Sequence, residues 1–178
     1  MKKLFALLVL SAVFLALPGT IRAQQVTVKA NIFSPIVKTG SFFAEYAFSP
    51  TKSAQLGFFS TGIKIKDTKF SGYGITPEVR HFFFGNAPSG LYGAGYLRFQ
   101  HFTLTEEEKN LQGTMNSVGA GVLLGYQLML GKHVVLDTFL GPGFNSVNVD
   151  GGTKASDFDL GTFGGFSPRG GISIGLAF

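Results

Sequence analysis

The sequence predicts an all-β fold, an eight-stranded antiparallel up-and-down transmembrane β-barrel that follows an N-terminal signal peptide. Three observations carry that prediction. Beyond residue 23 the chain has no apolar run of about 18 residues and no sustained period of ~3.6, which removes membrane helices. It is nonetheless apolar, with mean hydropathy +0.28, 20 Phe and 25 Gly. The apolar residues alternate with polar ones in eight segments separated by turns, the pattern of strands that face lipid on one side and a polar interior on the other.

The first element is an address. Lys2 and Lys3 precede the apolar run Leu4 to Leu17, and Pro18 to Ala23 supplies a break and a small residue before Gln24. This is the layout of a secretory signal peptide cleaved after Ala23, and the run is shorter than the ~20 residues of a membrane helix. Its removal (residues 1–23) leaves one domain, 24–178, of 155 residues. Lys2, Lys3 and Arg22 leave with the leader, so 12 basic residues face 10 acidic ones, and nothing calls for a nucleic-acid partner. The chain has no cysteine. Disulfides, thiolate metal sites and a lipid-modified N-terminal cysteine are thereby excluded, so stability must come from a closed backbone network or a large core.

Eight segments follow. Gln25 to Ile32 alternates Val26, Val28, Ala30 and Ile32 with Thr27, Lys29 and Asn31. Ser41 to Phe48 sets Phe42, Ala44, Tyr46 and Phe48 against Ser41, Phe43, Glu45 and Ala47. Ser53 to Thr61 opposes Ala54, Leu56 and Phe58 to Ser53, Gln55 and Gly57. Phe70 to Phe83 places Tyr73, Ile75, Val79 and Phe83 opposite Gly72, Gly74, Thr76, Glu78 and Arg80. Leu91 to Phe102 turns Leu91, Leu97 and Phe99 outward and Tyr92, Tyr96, Arg98 and Gln100 inward. Asn116 to Leu130 alternates most regularly, with Val118, Ala120, Val122, Leu124, Tyr126 and Leu128 outward. Val134 to Phe144 opposes Leu136, Thr138 and Leu140 to Asp137 and Phe139, and Gly170 to Phe178 alternates Ile172, Ile174, Leu176 and Phe178 with small residues.

The connections sort by length. Ser49 to Lys52, Gly85 to Ser89 and Gly131 to His133 are short and rich in turn formers. Phe33 to Gly40, Gly62 to Lys69, Thr103 to Met115 and Asn145 to Arg169 are longer or more polar. That alternation is the asymmetry of periplasmic turns and extracellular loops. Pro77 and Pro142 fall inside segments of a barrel that has no free edge; a bulge is expected near Pro77, and Pro142 is expected near the outer rim.

The final strand, Gly171-Ile-Ser-Ile-Gly-Leu-Ala-Phe178, resembles the ending of the small eight-stranded outer-membrane proteins typified by OmpX and the membrane domain of OmpA. Gly74-Ile-Thr-Pro-Glu-Val-Arg80 and Leu136-Asp-Thr-Phe-Leu-Gly141 are similar to small barrels of unassigned function, and the resemblance spans about Val26 to Phe178. It implies the bacterial outer membrane as location, outer-membrane lipid as surroundings, and Phe178 as a signal read by the barrel-assembly machinery. Nothing follows Phe178, so the peptidoglycan-binding domain of OmpA is expected to be absent.

The phases turn Lys29, Arg80, Arg98 and, by extension, Arg169 inward, with Glu45, Glu78 and Asp137. A narrow barrel is filled by its own side chains, and an unpaired buried charge is unfavourable. These residues are therefore expected to form a paired network that seals the lumen, packed by Phe43, Phe59, Phe82, Phe139 and Tyr92; a gated ion or proton path is the rival. Tyr46, Tyr73 and Tyr126 are expected to form the interfacial girdle, where amphipathic rings collect.

Catalysis has thin support. His101 and Thr103 precede Glu106, Glu107 and Glu108, the residue types of a membrane-embedded lipid-modifying hydrolase, but a charge run reads as a solvated loop. His81 and His133 are scattered, Gly161 to Gly165 lacks a phosphate-loop lysine, and Asp150, Asp157 and Asp159 lack calcium-ligand spacing. The expectation is a monomeric, non-enzymatic protein without cofactor or metal, its loops open to an external ligand. A soluble lipocalin-like periplasmic carrier is the remaining rival, and the inward charges count against it.

Overall fold

Residues that alternate in polarity form the strands, because only the extended backbone sends successive side chains to opposite faces. The computed structural model describes residues 25–65, 68–84, 87–106, 111–150 and 164–178. The leader, Glu107, Glu108, Asp157 and Asp159 lie outside the described residues. The strands are β1 (Val26–Asn31), β2 (Thr39–Ser49), β3 (Lys52–Ile65), β4 (Thr68–Phe82), β5 (Gly90–Glu106), β6 (Leu111–Leu130), β7 (Val134–Gly141), β8 (Gly143–Asp150), β9 (Gly165–Phe166) and β10 (Arg169–Ala177), with a 3-10 turn at Ser34–Val37.

Each strand pairs antiparallel with its neighbours in the order β1, β2, β3, β4, β5, β6, β7, β10, and β10 pairs with β1, so the sheet closes on itself. The seam is held to the end of the chain: the Phe178 N–H donates to the Val26 carbonyl at 2.8 Å and the Val26 N–H to the Phe178 carbonyl at 3.3 Å. β8 continues β7 against β6 in the same register, and β9 continues β10 against β8. The barrel thus has eight staves.

Both proline expectations need correction. Around Pro77 the β4–β5 register passes from Ile75 opposite Phe99 to Glu78 opposite Tyr96 with no residue inserted, and Leu56 faces Pro77 in an unbroken β3 ladder. The missing N–H is accommodated by leaving the pairs at Thr76 and Pro77 unmade on one side, so no bulge is needed there. The register shift between β2 and β3 falls instead between Ala47 and Ser49. Pro142 is not at the rim but between β7 and β8, midway along a stave. The register that pairs Arg169 with Gly141, and Ser167 N–H with the Gly143 carbonyl at 2.9 Å, puts Pro168 directly opposite Pro142. The two residues without N–H share one rung, and the Pro142 carbonyl still accepts from Val122 N–H at 3.1 Å.

Parts of the long connections are strand. β3 to β6 run 14, 15, 17 and 20 residues, longer than the ~9–11 that a bilayer crossing takes. Most of the polar stretches read as loops after Gly62 and Thr103 are strand, paired above the apolar belt.

The top of that belt is a single rung. Ser60, Tyr73, His101, Asn116 and Asn148 face one another in register across β3, β4, β5, β6 and β8. The rung beneath carries Phe58, Ile75, Phe99 and Val118, all outward and exposed. The inner face holds Phe43, Phe82, Tyr92, Tyr96 and Phe139, packed with Leu123 and Ala94. These rings lie across inward glycines of the next stave: a Cβ on Gly121 would sit 2.6 Å from Tyr96 Oη, and one on Gly125 would overlap the Tyr92 ring. Glycine is required at both positions because the aromatic ring occupies the side-chain space.

Candidate functional site

The interior divides into a lower tier of paired charges and an upper polar cavity, and both follow from which residues the alternation sends inward. In the lower tier, Lys29 on β1 directs its Nζ to Glu45 Oε2 (2.7 Å), Asp137 Oδ2 (2.8 Å) and Gln127 Oε1 (2.7 Å). Arg80 on β4 donates through Nε to Glu78 Oε1 (2.7 Å), and through Nη1 to Asp137 Oδ2 and Gln127 Oε1 (both 2.9 Å). Glu45 also accepts from Ser53 Oγ (2.6 Å) and Gln127 Nε2 (3.0 Å), and Asp137 from Tyr92 Oη (2.8 Å). The Arg80 guanidinium lies 4.4 Å over the Tyr92 ring. Lys29, Glu45, Arg80, Gln127 and Asp137 are all buried to 2 % exposure or less.

Donors and acceptors drawn from seven staves meet here, and a buried ionic cluster is tolerated only when its remaining polar groups are also bonded. The cluster fills the barrel cross-section with aromatic rings around it. Its geometry suits sealing and fixing of register. A water-filled ion path needs open space between such charges, and here the carboxylates and cations are in direct contact.

Glu78 links the tiers. Its other oxygen, Oε2, accepts from Arg169 Nη1 at 2.7 Å. Arg169 in turn lies 4.7 Å over the Tyr96 ring and 5.0 Å over Phe139. Above it a cavity of about 230 Å³ is lined by Asn31, Ser34, Ser41, Arg98, Gln100 and Arg169, among others. Arg98 is a correction to the expected network: among the described residues it makes no ion pair, its guanidinium lies 5.7 Å over the same Tyr96 ring, and its buried Nε has no hydrogen-bond partner. The interior is therefore not balanced in charge. Lys29, Arg80, Arg98 and Arg169 face Glu45, Glu78 and Asp137, four cations against three carboxylates among the described residues.

The structure thus brings Lys29, Glu45, Glu78, Arg80 and Asp137 into one bonded cluster and leaves Arg98 outside it. Gln127, which joins Lys29, Arg80 and Glu45 to the Pro88 carbonyl at 2.7 Å, is the hub that charge counting passes over; its inward phase between Tyr126 and Leu128 is the signal that points to it. Tyr73 is outward on the polar rung, while Tyr126 and the half-buried Tyr46 are on the outer face toward the opposite end of their strands. Phe178 is outward at the seam.

Among the described residues the hydrolase candidates do not converge. His101 Nδ1 is 2.8 Å from Asn116 Oδ1, and its ring packs 5.7 Å from that of Tyr73. Glu106 is five residues further along the same strand, roughly 16 Å away in backbone. No group of three metal-ligating side chains occurs among the described residues.

In comparisons with known proteins, a family model described as "Protein of unknown function (DUF3575)" matches residues 7–155. No curated protein matches the chain. Among solved structures, the chain is similar to the N-terminal β-barrel domain of Pseudomonas aeruginosa OprF, at 16 % identity and TM-score 0.52, over 88 % of this chain and 100 % of that one. A major outer membrane protein of Thermus thermophilus aligns at 14 % identity and TM-score 0.46, over 86 % and 97 %. The OprF likeness agrees with the closed barrel described above.

Proposed function

The chain belongs to the family described as Protein of unknown function (DUF3575), and from that premise we propose that it is an integral β-barrel of a bacterial outer membrane with a sealed lumen, serving the envelope as a structural or surface-binding component. One observation carries the reading: the polarity of the barrel is inverted relative to a soluble protein. Val28, Phe42, Leu56, Val79, Leu97, Val122, Leu124, Leu140 and Ile174 are exposed on the outside, while Lys29, Glu45, Glu78, Arg80 and Asp137 are buried within. In water that arrangement forfeits the burial of apolar surface that stabilises a domain. In a bilayer the outer face meets hydrocarbon, and closure removes the free sheet edge that lipid would not tolerate. The same inversion disfavours a soluble carrier, whose pocket would be the apolar part.

In this reading outer-membrane lipid contacts the belt, Tyr46, Tyr73 and Tyr126 lie toward its margins, the assembly machinery reads the terminal strand ending in Phe178, and any external ligand meets the end that carries the long hairpins. The protein is a monomer without enzymatic activity or cofactor. The bonded cluster at Lys29, Arg80 and Asp137 closes the lumen to ions.

Expressed with its leader in a Gram-negative host, the chain should fractionate with outer membranes. It should run faster in unheated than in heated gel samples, and give no steady current in planar bilayers. Recovery in the soluble fraction without detergent would refute the location, and a stable open-channel current would refute the seal.

A further inference from the structure

We propose that the upper cavity of the barrel is a binding site for a small tetrahedral oxyanion, inorganic phosphate or a compact phosphomonoester, held by Arg98 and Arg169. This goes beyond the envelope role and concerns a different part of the interior from the sealing cluster.

The cavity has the charge and donors of an anion site. Two guanidinium groups share the Tyr96 ring, at 5.7 Å and 4.7 Å, and no carboxylate lines the space. Arg169 is partly neutralised by Glu78. Arg98 has no ion pair among the described residues, although its Nε is buried and unbonded. Arg98 is half-buried, with only its Nε fully enclosed; a cation partly withdrawn from water without a counter-charge is unfavourable, and an anion in the cavity removes that penalty. Arginine suits oxyanions in particular, because its planar fork of donors matches their paired oxygens.

The surrounding polar groups are set to donate. Asn31 uses Oδ1 to accept from the Phe33 and Ser34 N–H groups at 2.9 Å and 3.1 Å, which leaves its amide nitrogen, directed toward Gly171, as the available group. Ser34 Oγ donates to Ser41 Oγ at 2.9 Å, so the Ser41 hydroxyl hydrogen is free for the cavity. Gln100 Oε1 is buried and unbonded; it can accept a hydrogen bond from the P–OH of a protonated oxyanion, a contact available to a phosphate monoanion. The space, about 230 Å³, admits phosphate or a short phosphomonoester and excludes a nucleotide.

The cavity lies inside the barrel, so the ligand comes from the aqueous phase and not from a lipid headgroup in the surrounding leaflet. The test uses the full mature chain refolded in a zwitterionic, phosphate-free detergent, its fold checked by gel mobility. Titration calorimetry with inorganic phosphate at constant ionic strength should give saturable binding that weakens at least tenfold in Arg98→Gln and is partly retained in Arg98→Lys. The same titration in nanodiscs of phosphatidylglycerol should give unchanged affinity, whereas competition by that lipid would identify the headgroup as the source and overturn the aqueous ligand. Should Arg98→Gln fail to fold, the ³¹P line of phosphate should still broaden on adding the native chain and sharpen on adding excess sulfate. Absence of saturable binding by the native chain, or equal affinity in Arg98→Gln, overturns the site.

Discussion

Replacing Asp137 with alanine should lower the unfolding free energy of the barrel by about 3–5 kcal/mol, the magnitude expected when one partner of a buried ion pair is removed. The reason is the number of groups that this carboxylate serves. It accepts from Lys29 at 2.8 Å, from Arg80 at 2.9 Å and from Tyr92 at 2.8 Å, and its removal leaves two buried cations sharing Glu45 and Glu78. Arg80 already has an unbonded Nη2, so it has no reserve of partners. The urea midpoint of the fast-migrating gel band in lipid vesicles reads the loss. The double variant Lys29→Met with Asp137→Leu should recover most of it, because a buried pair exchanged for apolar groups of similar size is close to neutral. A midpoint for Asp137→Ala equal to that of the native chain would show that the cluster contributes nothing to holding the staves together.

The second large effect is expected on the opposite face of the wall. Val122→Arg should destabilise the barrel by about 2–4 kcal/mol in a bilayer, the cost of a basic side chain on a lipid-facing midplane position. Val122 is outward and 59 % exposed, and it shares its rung with Gly95, Val79 and Ala54. It lies six residues from Asn116 on the polar rung, roughly 20 Å along the strand, or about 15 Å of depth at the tilt of such barrels. Ser60→Arg, on the polar rung itself, should cost no more than about 1 kcal/mol. Equal costs at the two positions, measured by the same urea titration, would mean that the outer face does not meet hydrocarbon.

Where the fold was legible in the sequence, one physical constraint dominated: a wall one residue thick with apolar side chains outside and charge inside forces a period of two. Segment β6 from Asn116 to Leu130 obeys it at nearly every position, and Lys29, Glu45, Glu78, Arg80 and Asp137 are inward because their apolar neighbours are outward. The constraint lapses above the polar rung. There Gly62, Ser71, Thr103 and Thr114 occupy paired strands with water available to them, so no alternation marks them and they read as loop. Pro77 misled for a different reason. A bulge is one answer to a missing N–H, but an unmade pair is another, and sequence does not distinguish them. Pro142 could not be placed without its partner, since the opposition to Pro168 depends on the register of two strands distant in sequence.

The candidate site was legible in its residue types and not in its pairing. Alternation identifies inward charges, but their height in the barrel depends on strand stagger. Arg80 and Arg98 are equally inward, yet Arg80 meets three carboxylates and Arg98 meets an aromatic ring and an open cavity. Gln127 escaped for a simpler reason, because an uncharged side chain carries no weight in a count of charges although it bonds to both cations of the cluster.

In the proposed membrane setting, β6 divides lipid from a packed interior, residue by residue. The chain has no native cysteine, so single cysteines at Ser117, Val118, Ala120, Val122, Leu123, Leu124 and Gln127 can carry a nitroxide spin label in refolded vesicles. Collision rates with oxygen, which concentrates in hydrocarbon, should be high at 118, 120, 122 and 124 and low at 117, 123 and 127, with a water-soluble nickel chelate excluded from the high set. Uniform oxygen access along the strand, or nickel access to 120 and 122, would show that β6 is not such a wall.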